Sequence, residues 1–346
     1  MAEPEILFER LGHAGLVTLN RPAALNALSR GMVAALADAL DGWKVDPSIR
    51  LVIVRANGRA FCAGGDIRAV YEAGQGSPAQ KVFFRDEYRL NAAIKAFPKP
   101  YVALVDGFVM GGGAGIAVHG SHRIFGEKAI FSMPETGIGF FPDVGSSFFL
   151  SRMPNQIGLY CGLAAMRLAR GDALHAGIAT HAAPASAFDA IVARLAEAAD
   201  IDAALACFAE TAPAETLGPL DTAIEAIFAT GSVESILARL DALEGPQAEW
   251  GALTAAAIRS KSPTSLRIAL RQIRAARELD FDDCIRLDWR IANAILDGHD
   301  FYEGVRAALV DKDQSPRWNP AALDAVDPGA IEGHFEVPLD GDIPLP

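Results

Sequence analysis

The chain has 346 residues, 51% of them hydrophobic and 21% charged, which is too long for one small core and suits one large domain with an appendage or two domains. A formal charge of −12 argues against a general nucleic-acid surface, and it means that any anionic ligand needs a local cluster of donors. Cys62, Cys161, Cys207 and Cys284 are scattered without a CxxC pair, the opening MAEPEILFERLGHAG is acidic with no apolar or arginine-rich leader, and no apolar run reaches membrane-spanning length; the expectation is a soluble cytoplasmic protein with reduced thiols and no zinc site.

In chain order, EILFERLG and GLVTLN read as a hairpin with His-Ala-Gly as its turn. LSRGMVAALADALDGW has an N-cap at Ser29 and helical spacing through Leu36, Leu40 and Trp43. RLVIVRA is a short continuous apolar run, the pattern of a buried strand, and KPYVALVDG is a second. VFFRDEYRLNAAIKAF between them reads as a helix, GGGAGIAVHG as a helix start, and RIFGE and AIFSMP as two more short strands. This alternation predicts a layered α/β domain over about 1–195. The remainder, 196–346, is alanine-rich and helical, with breaks at APAETLGP and ATGSVES, a charged turn-rich segment DKDQSPRWNPAAL and a final EVPLDGDIPLP expected to be loose.

Two segments carry glycines straight from a strand end into a helix: RAFCAGGDIRAV and GFVMGGGAGIAVHG. Such turns expose orphan amides at a helix N-terminus, and two of them on neighbouring strands can converge on one oxygen as an oxyanion hole. Neither has the spacing of a phosphate loop or a dinucleotide fingerprint. Further on, MPETGIGFFPDVG places Glu135 and Asp143 in an apolar stretch, where an unpartnered carboxylate is expensive to bury. His119 reads as a packed histidine, His299 as a helix-start residue beside Asp300, and Cys62 as a small core residue. Ser146 and Ser147 lack a nucleophile elbow.

FCAGGDI, GFVMGGGAGIAV and MPETGIGFFPDVG in that order, with LNRPAALNALS ahead of them, resemble the crotonase (enoyl-CoA hydratase/isomerase) superfamily. FFRDEYRLN, KSPTSLRIALRQ and GHDFYEGVRAALVDKDQSPRWNP narrow the likeness to its thioester hydrolases, over nearly the whole chain. The resemblance implies a ββα spiral core with a helical C-terminal region covering the site, an acyl-CoA substrate, no metal or redox cofactor, and a possible homo-oligomer. It implies an oxyanion hole from the amides of Gly65 and Gly112, a CoA border at Ala24 and Ala63, phosphate contacts from Arg68 and a pocket role for Glu87. On sequence alone Arg68 reads as a surface residue, and Glu87 as a solvated charge beside Arg85 and Asp86.

Hydratases of the superfamily use two glutamates, and the first of those positions is Gly115 here, leaving only Glu135. Asp143 stands where hydratases tend to carry glycine. The resemblance then implies that Glu135 attacks the thioester carbonyl or activates water against it, while Asp143 holds a substrate hydroxyl or shares the proton. Asp143 also reads as a cap for SSFFLSRM. The competing readings are an enoyl-CoA isomerase or hydratase and a non-catalytic acyl-CoA-binding protein.

Overall fold

The computed structural model describes residues 3–346, so Met1 and Ala2 of the opening segment lie outside the described residues. Strands β1 (Ile6–Leu11) and β2 (Ala14–Leu19) form the expected antiparallel hairpin. Its turn is Gly12-His13 rather than His-Ala-Gly, because Gly12 takes the positive φ while Ala14 and Gly15 already pair with Leu11 and Arg10. Helix α1 (Arg30–Val45) starts at Ser29, whose hydroxyl accepts from the Met32 amide.

A repeating unit follows. β3 (Leu51–Ala56) and β4 (Ala60–Cys62) lead into α2 (Ile67–Glu72) and α3 (Pro78–Lys95); β5 (Tyr101–Val105) and β6 (Phe108–Met110) lead into α4 (Gly112–Ala117). The third turn is β7 (His122–Phe125), β8 (Ile130–Ser132), a 3-10 turn at Glu135–Ile138 and α5 (Ser146–Leu150). The first strand of each pair joins a six-stranded sheet in the order β1-β2-β3-β5-β7-β10, and the second joins a four-stranded sheet in the order β4-β6-β8-β9. After α6 (Ile157–Ala164), β9 (Leu168–Ala169) closes the small sheet; after α7 (Arg170–His175), β10 (His181–Ala182) closes the large one.

Both faces of the parallel part of the large sheet, β2, β3 and β5, are buried, as parallel strands require, whereas the antiparallel edge strand β1 is largely exposed. Val52 and Val54 face the main core, whereas Leu51 and Ile53 face a second core beneath α8 (Phe188–Glu197) and α9 (Ile201–Ala206). Positions 195 and 196 fall inside α8, and α8 and α9 lie on one face of the large sheet, so the remaining helical layer follows after Ala206. That layer comprises α10 (Asp221–Phe228), α11 (Val233–Asp241), α12 (Ala248–Arg259), α13 (Pro263–Ala275), α14 (Phe281–Leu296), α15 (Asp300–Val305) and α16 (Pro328–Gly333). Here α13 packs on α5 and α6, α14 on α3, and α15 on the 3-10 turn.

The final segment is held rather than loose. Arg290 of α14 grips both oxygens of Asp342 at 2.7 and 2.5 Å, Trp289 donates to the Gly341 carbonyl, and Ile343 is buried. Among the described residues no helix is long and apolar enough to cross a membrane.

Candidate active site

β4, β6 and β8 are adjacent and parallel; β6 and β8 run in register, with Phe108 beside Ile130 and Met110 beside Ser132, while β4 pairs with β6 through a bulge between Ala60 and Cys62. Their exits therefore land side by side: Gly64-Gly65 after β4, Gly111-Gly112 after β6, and Pro134-Glu135 after β8. This is how residues 65, 112 and 135, far apart in sequence, come to border one cavity of about 600 Å³. Glu87 from α3 and Asp143 from the loop before α5 reach it as well, with Ala24, Ala63 and Arg68 nearer the mouth, so every candidate residue lies on its wall.

The two glycine amides are neighbours. A Cβ built on Gly112 would stand 3.0 Å from the Gly65 nitrogen and would overlap Glu87 Oε1. Neither amide takes part in the turn and loop hydrogen bonds, and Gly112, as the first residue of α4, has an orphan donor by geometry. Gly111 has φ 48° and ψ −124°, backbone that side chains disfavour, and a Cβ there would stand 2.8 Å from Glu135 Oε1. Glycine is needed at 111 and 112 so that two carboxyl groups can approach the amides.

Glu87, Glu135 and Asp143 are 2%, 6% and 5% exposed. Glu87 is therefore not a solvated helix charge; its neighbours Arg85 and Asp86 make the surface pair. Nor does Asp143 cap α5, whose N-cap is Gly145 with no side-chain bond. Its Oδ2 accepts from the Tyr88 hydroxyl at 2.9 Å instead. No ion pair to any of the three carboxyls is present among the described residues. Burial pushes all three up, Asp143 to about 7, against the opposing Tyr88 hydrogen bond. Burial, then the Asp143 charge, holds Glu87 and Glu135 well above the ordinary carboxyl range. Glu87 Oε1 and Glu135 Oε2 are buried with no protein partner.

Position 115 is closed to a second glutamate. A Cβ on Gly115 would meet Asn91 Nδ2 at 2.7 Å and Val144 Cβ at 2.9 Å. At the mouth, Arg68 is paired with Glu72 at 2.8 Å within its own helix, while Arg21 is held by Glu5 and Asp66. Arg59 and Lys312 line the same mouth and make no side-chain hydrogen bond or ion pair among the described residues. His119 is buried against Phe281 and Phe149, donates to the Val144 carbonyl at 2.7 Å, and is pushed down to about 4 by burial. His299 starts α15 beside Asp300 Oδ1 at 3.1 Å, and burial pushes the Cys62 thiol up to about 12.

Sequence reasoning passed over several residues of this site. Phe84, Tyr88 and Asn91 share a face of α3 with Glu87, a spacing of three and four that FFRDEYRLN displays. Phe140, Leu309 and Lys312 also line the cavity, and the last two had no local signal.

The profile described as enoyl-CoA hydratase/isomerase matches residues 14–335. The chain belongs to the enoyl-CoA hydratase/isomerase family. Within this family it is 40% identical over 356 residues to the mitochondrial 3-hydroxyisobutyryl-CoA hydrolase of Danio rerio, covering 99% of this chain and 92% of that one. The protein of the same name from Homo sapiens is 39% identical, with 97% and 89% covered. Among solved structures, a carnitinyl-CoA dehydratase from Mycobacterium thermoresistibile superposes with a TM-score of 0.93 at 38% identity, over 99% of each chain. An enoyl-CoA hydratase from Rhodobacter sphaeroides 2.4.1 gives 0.91 at 39%, over 99% and 100%. The family's spiral core with a helical C-terminal region is the fold described above.

Proposed function

We propose that this protein hydrolyses the thioester of 3-hydroxyisobutyryl-CoA, releasing free CoA and 3-hydroxyisobutyrate, a step of valine degradation, on amides and carboxyls alone, without a metal or redox cofactor. The relatives of nearly equal length carry that activity in their names, whereas the two solved structures carry the names of a hydratase and a dehydratase. The observation that decides between them is Gly115: addition of water across a double bond calls for a positioned acid and base, and Asn91 and Val144 fill the space of the second one. The four free thiols fit a reducing compartment, and we place the protein in the cytoplasm; the relatives named here are mitochondrial.

The thioester carbonyl oxygen sits between the Gly65 and Gly112 amides, which stabilise the charge that develops when the carbon is attacked. One such donor is worth about 3–4 kcal/mol of barrier. Glu135, once ionised, either attacks that carbon directly, forming an anhydride and expelling CoA thiolate before water opens it, or takes a proton from the attacking water. Its raised proton affinity makes it a stronger base than a solvated carboxylate. Asp143, oriented by Tyr88, accepts the substrate hydroxyl. Arg59 and Lys312, rather than the paired Arg68, meet the CoA phosphates.

Thiol release from 3-hydroxyisobutyryl-CoA tests this reading. Glu135→Gln should lower kcat by roughly 10²- to 10⁴-fold. A single turnover in ¹⁸O-water places label in Glu135 only on the anhydride route. No thiol release, with a change in enoyl absorbance on crotonyl-CoA or a 3-enoyl-CoA, would make the protein a hydratase or isomerase; tight acyl-CoA binding without either would make it a binding protein.

A further inference from the structure

The loop that delivers Asp143 is strained and tied down from several sides. Val144 has φ 55° and Gly145 φ 71°, and a left-handed β-branched residue is an outlier that persists only where its surroundings hold it. Three anchor points within four residues do so. Gln272 Nε2, from α13, donates to the Pro142 carbonyl at 2.9 Å; His119, from the turn after α4, donates to the Val144 carbonyl at 2.7 Å; and the Gly145 amide donates to Asp288 Oδ2, from α14, at 2.7 Å. Gln272 Nε2 also donates to Asp288 Oδ1 at 2.6 Å, so both oxygens of Asp288 serve this one loop.

Asp288 is otherwise hard to account for. It is 0% exposed, sits in the middle of α14 where it caps nothing, and has no cationic partner among the described residues. A buried acid without a counter-charge is costly, and an apolar residue would pack there at less expense. We infer that Asp288, with Gln272, is a positioning residue that clamps the 142–145 loop in its left-handed turn and so aims the Asp143 carboxyl into the acyl pocket. This rests on the proposed role of Asp143 in thioester hydrolysis.

Asparagine at 288 keeps the volume but turns one acceptor into a donor facing the Gly145 N–H or the Gln272 amide. Should Gln272 flip to accept it, the Pro142 carbonyl loses its donor; one loop bond is lost either way. The test combines crystal structures of the wild type and Asp288→Asn with a kinetic cycle of wild type, D143N, D288N and D143N/D288N in the thiol-release assay. We expect the Tyr88–Asp143 hydrogen bond to be broken in D288N. Its kcat should fall on the order of 100-fold with KM within about twofold, the scale for a misplaced catalytic group. In the D143N background D288N should have no further effect, because Asp288 acts through Asp143. An unmoved Asp143, undiminished kcat, or an equal loss in both backgrounds overturns the inference. A wild type that releases no thiol overturns the hydrolase reading alone, since the displacement of Asp143 is read independently of turnover. If D288N does not fold, Gln272→Met removes the Pro142 and Asp288 bonds together and is carried through the same cycle.

Discussion

Gly115 shows how one missing side chain directs the chemistry. The helix that begins at the oxyanion turn carries it against Asn91 and Val144, so a glutamate restored there meets occupied space, not an empty socket. Gly115→Glu is therefore expected to lower stability by about 1–3 kcal/mol through overpacking and to confer no hydration of crotonyl-CoA. Thermal unfolding and enoyl absorbance check it, and efficient hydration would show that the missing acid is a matter of sequence rather than of packing. The absence of that acid was legible in the sequence, because it is an identity at a motif position. The reason for it was not, since Asn91 and Val144 lie 24 positions before and 29 after Gly115, and nothing local links them.

Helix α3 delivers a carboxyl and a phenol to the site from successive positions, and the electrostatics follow from its burial. Three buried acids share a pocket and none of them is ion-paired among the described residues, so proton affinity rises on folding, and folding is opposed as these groups ionise. For Asp143 the folded value of about 7 lies above the ordinary 3.8; its contribution to stability is complete below the lower figure and gone once pH has risen through the higher. Glu87, also raised, by burial and then by the Asp143 charge, adds a loss of the same sign as pH rises. Glu87→Gln should then leave the melting temperature near pH 4 almost unchanged and raise it at alkaline pH. An equal shift at both ends would mean that Glu87 is not a source of the pH dependence. The same coupling reaches Glu135, which the Asp143 charge helps to keep protonated. The residual hydrolysis of D143N should therefore show its acidic limb at lower pH than the wild type, read from kcat/KM profiles. The strands and glycine exits that create this neighbourhood were readable from apolar runs and turn residues. The inward position of Glu87 was legible only through the family resemblance, because its charged neighbours Arg85 and Asp86 are part-exposed and give the local pattern of a surface helix. The closing EVPLDGDIPLP misled in the same way: its prolines and glycine hid an ion pair to Arg290 and one buried isoleucine.

For the molecule as a whole, the charge of −12 and a polyanionic thioester are at odds. A uniformly acidic surface would repel the ligand, and added salt would help it bind by screening that repulsion, whose reach is about 10 Å near 0.1 M ionic strength. Arg59 and Lys312 place positive charge at the cavity mouth that no ion pair neutralises among the described residues, unlike Arg21 and Arg68. Lys312 comes from the segment after α15, so the C-terminal region supplies part of the cavity wall, and the proposed phosphate contact would give it a part in recognition. Arg59→Ala and Lys312→Ala should each raise KM about two- to fivefold with kcat unchanged, the usual worth of an exposed charge pair. The double variant should also respond differently to salt. Wild-type KM should rise with ionic strength as the local attraction is screened, whereas in the double variant the overall repulsion remains and KM should fall. Arg68→Ala, its guanidinium already held by Glu72, is expected to change neither quantity. If Arg68→Ala raised KM while the other two did not, the phosphates would lie along α2, and the approach path would run from the opposite side of the mouth.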